Sequence, residues 1–238
     1  MPRPKNPFFR FKQFTIWQDQ TALKVCTEAC ILGAYAAVSG AHRILDIGTG
    51  TGLLALMTAQ RAPQAQVVGV EIEPNAALQA QQNAQKSPFA ARVQICQIPI
   101  QDFMPTVAFD LVVCNPPFFN NHLPARAFAR QQALHTQTLP FEDLAVATAR
   151  LLTPDGQLVI LLPAYETQLF VQTAQQNGLF PVNQLAIYQR VGSPIFRLIT
   201  TFGRATHLFD TETLYIHETD GSYSATFKTL LKPYYLHL

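Results

Sequence analysis

Residues 44–56 read ILDIGTGTGLLAL. An apolar strand, Ile44-Leu45-Asp46-Ile47, runs into three alternate glycines and then into an apolar helix predicted over Leu53–Arg61. Glycine at 48, 50 and 52 lets the backbone approach a ligand closely, and the helix N-terminus that follows favours negative charge. A dinucleotide-binding turn needs G-x-G-x-x-G, whose last glycine would fall at Leu53; the third glycine comes one residue early, which disfavours a nicotinamide dehydrogenase. Working outward, short apolar runs at Val67–Glu71, Val93–Cys96, Asp110–Cys114 and Gln157–Leu162 alternate with amphipathic stretches at Asn75–Lys86 and Phe141–Leu152. That alternation is the signature of βαβ units and a parallel sheet. Pro154-Asp155-Gly156 is expected to end the second of those helices, and a further helix follows Leu162 as far as about Asn177-Gly178. Two more β-rich stretches, Gln184–Val191 and Phe196–Gly203, are joined by Gly192-Ser193-Pro194, which predicts an antiparallel hairpin at the sheet edge. The expected fold is therefore α/β and Rossmann-like, a mostly parallel seven-stranded sheet with an antiparallel edge hairpin.

At 238 residues the chain can bury a sizeable core, and charged residues at 13% against 48% hydrophobic exclude a disordered chain. One domain spanning 1–238 is expected, with 1–40 as an N-terminal extension, 41–163 as the half carrying the glycine turn, and 164–238 as a C-terminal half with antiparallel strands. The aromatics Tyr215, Tyr223, Phe227, Tyr234 and Tyr235 read as packing residues covering a sheet face. A net charge of +2 permits a nucleic-acid partner without requiring one. The charge is uneven, since Arg3, Lys5, Arg10 and Lys12 fall in the first twelve residues without an acid; a solvated terminus is the expectation, with a basic arm as the alternative. Cys26, Cys30, Cys96 and Cys114 form no CxxC pair and have no histidine at ligand spacing; reduced core thiols and no metal are expected. No segment has the apolar length of a signal peptide or membrane span, which predicts a cytoplasmic protein, taken to be a monomer.

The spacing Asp46-x-Gly48-x-Gly50-x-Gly52 resembles motif I of the class I S-adenosylmethionine-dependent methyltransferases, in which the loop passes under the amino-acid end of the cofactor. Asp46 reads as a cofactor contact, with a turn or helix cap as the alternative. The second strand ends in VVGVEIEP, placing Glu71 twenty-one residues after Gly50. A carboxylate there can accept both ribose hydroxyls, each charge-assisted bond contributing about 1.5–3 kcal/mol. In IPIQDF, Asp102 is placed to accept from the adenine amino group, with Phe103 or Ile72 lining the ring; a loop cap is the alternative.

One strand later comes CNPPFF, residues 114–119. Two consecutive prolines make a stiff extended segment at the carboxyl edge where open α/β sheets bind ligands; a rigid strand-to-loop turn capped by core aromatics is the alternative. The exocyclic nitrogen of adenine, of cytosine or of an amide is a poor nucleophile because its lone pair is delocalised. If the Asn115 side-chain oxygen and the Pro116 carbonyl each accept one N–H, that pair is freed and aimed, without metal or strong base. Phe118 would stack on the target ring, typically worth about 1–3 kcal/mol, with Phe119 supporting it. Such a pocket admits only a single-stranded, loop or flipped base. In RAFARQQALH, Arg126, Arg130 and His135 recur at helical spacing as a phosphate-facing stripe or, alternatively, a solvated helix face. Arg10 and Lys12 join them as RNA contacts.

The chain resembles, almost end to end, the bacterial tRNA adenine-N6-methyltransferases that act on the adenosine at anticodon-loop position 37 of a valine tRNA. Carrying the resemblance are FRFKQFTIWQDQTALKVCTEACILGAYA, LDIGTGTGLLALMTAQR, NPPFF, RAFARQQALHTQTL and YSATFKTLLKPYYLHL. It implies S-adenosylmethionine as cofactor, tRNA as partner, and a role for Lys24 and Thr27 near the cofactor's methionine end. Where the family has KVGTDG, this sequence carries Cys26, Glu28 and Ala29 in place of Gly, Asp and Gly, so the stretch must avoid left-handed dihedrals. NPP[FY] alone also covers DNA adenine, guanine-N2 and protein glutamine methylators. Methylation of protein glutamine, DNA adenine or an rRNA base, or a non-catalytic nucleic-acid-binding subunit, are the competing expectations.

Overall fold

The computed structural model describes residues 6–21, 24–116, 139–206 and 209–238. An antiparallel ribbon, β1 (Phe8–Arg10) with β2 (Thr15–Trp17), precedes α1 (Thr27–Tyr35). Then follow β3 (Arg43–Ile47), α2 (Leu53–Arg61), β4 (Gln66–Glu71), α3 (Pro74–Gln85), β5 (Val93–Gln97), β6 (Phe109–Cys114), α4 (Phe141–Leu151), β7 (Leu152–Leu162), α5 (Ala164–Gln176), β8 (Phe180–Arg190), β9 (Ile195–Gly203), β10 (Asp210–His217) and α6 (Ala225–Leu231).

The main sheet runs β10-β8-β9-β7-β6-β3-β4-β5, with β3 to β7 parallel and β9 antiparallel to both β7 and β8. It has eight strands and not the seven read from the sequence. The added one is β10, which lies parallel to β8, so the predicted hairpin exists but sits inside the sheet. The first four residues of β10, Asp210 to Thr213, are polar and exposed, as an outermost strand allows, and they offered no apolar run to detect. Pro154-Asp155-Gly156 lies inside β7 as an excursion, between Leu152 opposite Phe109 and Gln157 opposite Leu111. A side chain at Gly156 would stand 2.9 Å from the Phe109 carbonyl oxygen, which explains the glycine there.

Period-two alternation divides the strands' side chains between two cores. Ile44, Val67, Leu111, Val113, Val159 and Leu161 pack with α1, α2, α6 and the ribbon. Leu45, Ile47, Val112, Cys114, Leu158 and Ile160 pack with α4 and α5. Burial pushes the thiol of Cys30 up to about 12 and that of Cys114 well above its usual range, so both are neutral packing groups. Among the described residues no helix is long and apolar enough to cross a membrane.

Candidate functional site

Because β3 through β7 are parallel, their carboxyl ends share one sheet edge. Ile47 is paired with both Val70 and Cys114, so Gly48, Glu71 and Asn115 emerge side by side, each one residue beyond that row. The turn is built from left-handed glycines: φ is 69° at Gly48, 57° at Gly50 and 84° at Gly52, which caps α2. Val70 carbonyl oxygen accepts from Gly48 N at 2.9 Å and Thr49 N at 3.0 Å. A Cβ at Gly48 would meet nothing within 4 Å among the described residues, so the turn is open on that side, while a Cβ at Gly52 would abut Ala80 at 3.5 Å.

Glu71 is almost buried, at 9% exposure. Its Oε2 accepts from Gly50 N at 2.8 Å, and Oε1 accepts from Ile72 N at 2.9 Å and Glu73 N at 3.0 Å. A carboxylate has about four lone-pair sites, so three amides fix its orientation and leave acceptor capacity. Asp46 does something different. It is wholly buried, and its Oδ2 accepts from Thr49 Oγ1 at 2.6 Å and from Ala55 N at 3.0 Å. Ala55 is the third residue of α2, so Asp46 caps that helix from the strand before it, the alternative noted above. Burial pushes its carboxyl up to about 7 against the lowering effect of those two bonds, and Oδ1 has no partner among the described residues.

Beyond β5, Asp102 is exposed and accepts no hydrogen bond from a described residue, while its N–H donates to the Pro99 carbonyl at 3.0 Å. Phe103 packs on Phe109 with ring centroids 6.2 Å apart, and Ile72 is 44% exposed beside Glu71. At the end of β6, Asn115 is half-buried and Pro116 buried. The Asn115 Oδ1 is shielded from solvent and has no hydrogen-bond partner among the described residues. Phe118, Phe119, Arg126, Arg130 and His135 lie outside the described residues.

The amide side chains of α3 escaped the sequence reading. Asn83, 1% exposed, accepts from Trp17 N at 3.0 Å and donates to the carbonyls of Trp17 and Thr51, both at 2.9 Å. Gln79, fully buried, donates to Asp19 Oδ1 at 2.7 Å and accepts from Gln20 N at 3.1 Å. Segment 17–20 is thus strapped to α3, and Asn83 ties it to the glycine turn. In PNAALQAQQNAQ these residues look like one more solvated face; only their spacing of four, which places both on one side of the helix, could have marked them. Lys24 donates to the carbonyls of Gln18 and Thr21, so its charge serves the strap. Cys26 is extended (φ −124°) and Thr27 opens α1, so the stretch lacking both glycines uses no left-handed residue. Arg10 is exposed on β1, and Lys12 contacts the C-terminal segment through Lys12 N to the Tyr234 carbonyl at 2.8 Å.

A family model described as "Methyltransferase domain" matches residues 39–201. The tRNA1(Val) (adenine(37)-N6)-methyltransferase of Dyadobacter fermentans is 42% identical over 237 residues, covering 98% of this chain and 99% of that protein. Proteins of the same name from Bacteroides thetaiotaomicron and Pseudoalteromonas translucida are 39% and 38% identical, with 98% and 97% of this chain covered. The chain belongs to this methyltransferase family. Among solved structures, a predicted O-methyltransferase from Agrobacterium tumefaciens superposes with a TM-score of 0.66 at 20% identity, over 86% of this chain and 95% of that one. The CcbJ methyltransferase of Streptomyces caelestis gives 0.55 at 15% identity, over 76% and 90%. At such identities these two carry the fold alone, and the fold is that of the S-adenosylmethionine-dependent methyltransferases.

Proposed function

We propose that the protein methylates the exocyclic N6 of an adenosine in tRNA, position 37 of the anticodon loop of a valine tRNA, with S-adenosylmethionine as donor. When bound, that cofactor supplies an electrophilic methyl group on a sulfonium. The residues present fit it. Glu71, oriented by three backbone amides, would accept from a ribose hydroxyl with its remaining lone pair, and Asp102, whose carboxylate is uncommitted, would accept from the adenine amino group between Ile72 and Phe103. The open side of the glycine turn takes the amino-acid end, with Thr27 at the start of α1 on the methionine side and Lys24 acting through the strap.

Toward the substrate, Asn115 Oδ1 and the Pro116 carbonyl each accept one N–H of the target amino group. Drawing both N–H bonds to fixed oxygens moves the nitrogen toward tetrahedral geometry and frees its lone pair. The same oxygens face the positive charge that develops on nitrogen, a preorganised electrostatic contribution of a few kcal/mol. One observation carries this: a shielded acceptor without a donor, one residue past a strand end beside the glycine turn. A folded protein leaves such an oxygen unpaired at a cost of about 1–3 kcal/mol, which a substrate N–H recovers. The substrate in the relatives' names supports tRNA adenine among the groups this pair of acceptors would fit. Acting on tRNA, the enzyme works in the cytoplasm as one domain.

The test is to incubate the protein with methyl-labelled S-adenosylmethionine and, separately, total tRNA, DNA and a cell-protein fraction. Label in tRNA as N6-methyladenosine at one anticodon-loop site is expected; label in protein and none in tRNA overturns it.

A further inference from the structure

Much of the described positive charge is spent inside the fold. Arg61 donates to the Ala36 carbonyl at 2.7 Å, Arg92 to those of Ala59, Ala62 and Ala65 at 2.9 Å, Arg150 to that of Phe103 at 3.0 Å, and Arg204 to those of Ala149 and Leu152. These guanidinium groups close loops and helix ends. The lysines behave differently: of six in the chain, three line a single groove of ≈ 340 Å³ formed where the β1–β2 connection meets α6. Lys12 comes from that connection, and Lys228 and Lys232 from α6 and the residue after it. Thr229 and Tyr235 add a hydroxyl and a ring, and no acidic side chain lines the groove.

The arrangement is held in place. Lys12 is anchored twice, by its N–H to the Tyr234 carbonyl at 2.8 Å and by Nζ to the Lys232 carbonyl at 2.6 Å. That second bond also satisfies a carbonyl at the end of α6, the task a C-terminal lysine usually performs. Lys228 and Lys232, four apart on one face, therefore repel each other without that reward. Neither ammonium has a hydrogen-bond or ion-pair partner among the described residues. The exposed Asp220 senses Lys228 only weakly, its carboxyl being held low first by the Ser222 backbone. Three cations with no acidic side chain among the described residues lining the groove match a polyanion whose charges recur along a chain.

We infer that the Lys12–Lys228–Lys232 groove binds the phosphodiester backbone of the tRNA substrate, outside the methyl-transfer site, and holds the tRNA while the target base is presented. This rests on the tRNA reading above and adds a surface to it.

The full-length protein carrying Lys228→Ala with Lys232→Ala tests it, against Arg190→Glu, a charge reversal at an exposed arginine elsewhere that lowers the net charge by the same two units. Measured are KM for tRNA, Kd for fluorescent tRNA as a function of salt, affinity for S-adenosylhomocysteine, and Tm. The double variant is expected to raise Kd and KM for tRNA about tenfold or more and to flatten the salt slope by about two, one per lost phosphate contact. Cofactor-product affinity and Tm stay at the wild-type values. If the wild type methylates tRNA and the double variant matches Arg190→Glu in Kd and slope, the groove assignment is overturned while the function stands. If the wild type labels no tRNA, both fall.

Discussion

Replacing Asn115 by alanine removes one of the two oxygens proposed to hold the target nitrogen and leaves Glu71, Asp102 and the glycine turn, the proposed cofactor residues, unsubstituted. Turnover should fall about 10²–10³-fold, the loss typical of deleting one preorganised transition-state hydrogen bond, while affinity for S-adenosylhomocysteine stays within about twofold. Calorimetric binding beside single-turnover labelling decides it, and a collapse of cofactor affinity would mean that Asn115 belongs to the cofactor side. A second prediction concerns Asp46, raised to about 7 by burial from an ordinary 3.8. Between those two values the folded state binds a proton that the unfolded chain has released. The stability this contributes is complete below about pH 4 and is lost as pH rises through about 7. Asn at 46 keeps the acceptor used by Thr49 and Ala55 but does not titrate. The Tm of wild type minus that of Asp46→Asn should therefore decline from pH 4 to pH 8, and a flat difference would show that Asp46 holds no displaced proton.

At the scale of elements, the site depends on α3 more than its sequence suggests. Asn83 serves as both acceptor and donor for segment 17–20 and donates to Thr51 in the glycine turn. Leucine fills similar volume but leaves the Trp17 amide, the Trp17 carbonyl and the Thr51 carbonyl without this partner. For Asn83→Leu the expected outcome is an S-adenosylhomocysteine Kd about ten- to a hundredfold weaker, with turnover at saturating cofactor within a few-fold of wild type. A lower Tm with unchanged Kd would reduce Asn83 to a packing residue. The same region shows what can be read in advance. The strands around Ile44, Val67, Leu111 and Leu158 were legible because strands buried on both faces are continuously apolar, and the glycine turn was legible because alternate left-handed positions exclude most residues. Segment 17–20 was not, because its partners Gln79 and Asn83 are polar residues of a kind normally solvated, and only tertiary contact buries them. The outermost strand β10 was hidden for the opposite reason: its exposed polar half carries no apolar signal.

Across the whole molecule, the ribbon, α6 and α2 form one connected body. Tyr234, fully buried, donates its hydroxyl to the Met57 carbonyl at 2.9 Å, and the Lys12 N–H donates to the Tyr234 carbonyl. One end of the N-terminal segment is thereby joined to the lysine groove, while at the other Asn83 joins Trp17 to the glycine turn. Occupying that turn should then stabilise more than the turn itself. A ligand at a hundred times its Kd adds about 2.7 kcal/mol to global stability by mass action, a rise of several degrees in Tm. Locally, the amides of Trp17 and Gln20, bonded to Asn83 and Gln79, should exchange with solvent more slowly when S-adenosylhomocysteine is present, although neither is proposed to touch it. Hydrogen exchange with and without the ligand measures this, and Asn83→Leu provides the control. If Asn83 is the link, added protection at residues 17–20 disappears in the variant even at ligand concentrations that saturate it. Were that protection to persist there, the segment would be reporting direct contact with the ligand, and the path through Asn83 would be wrong.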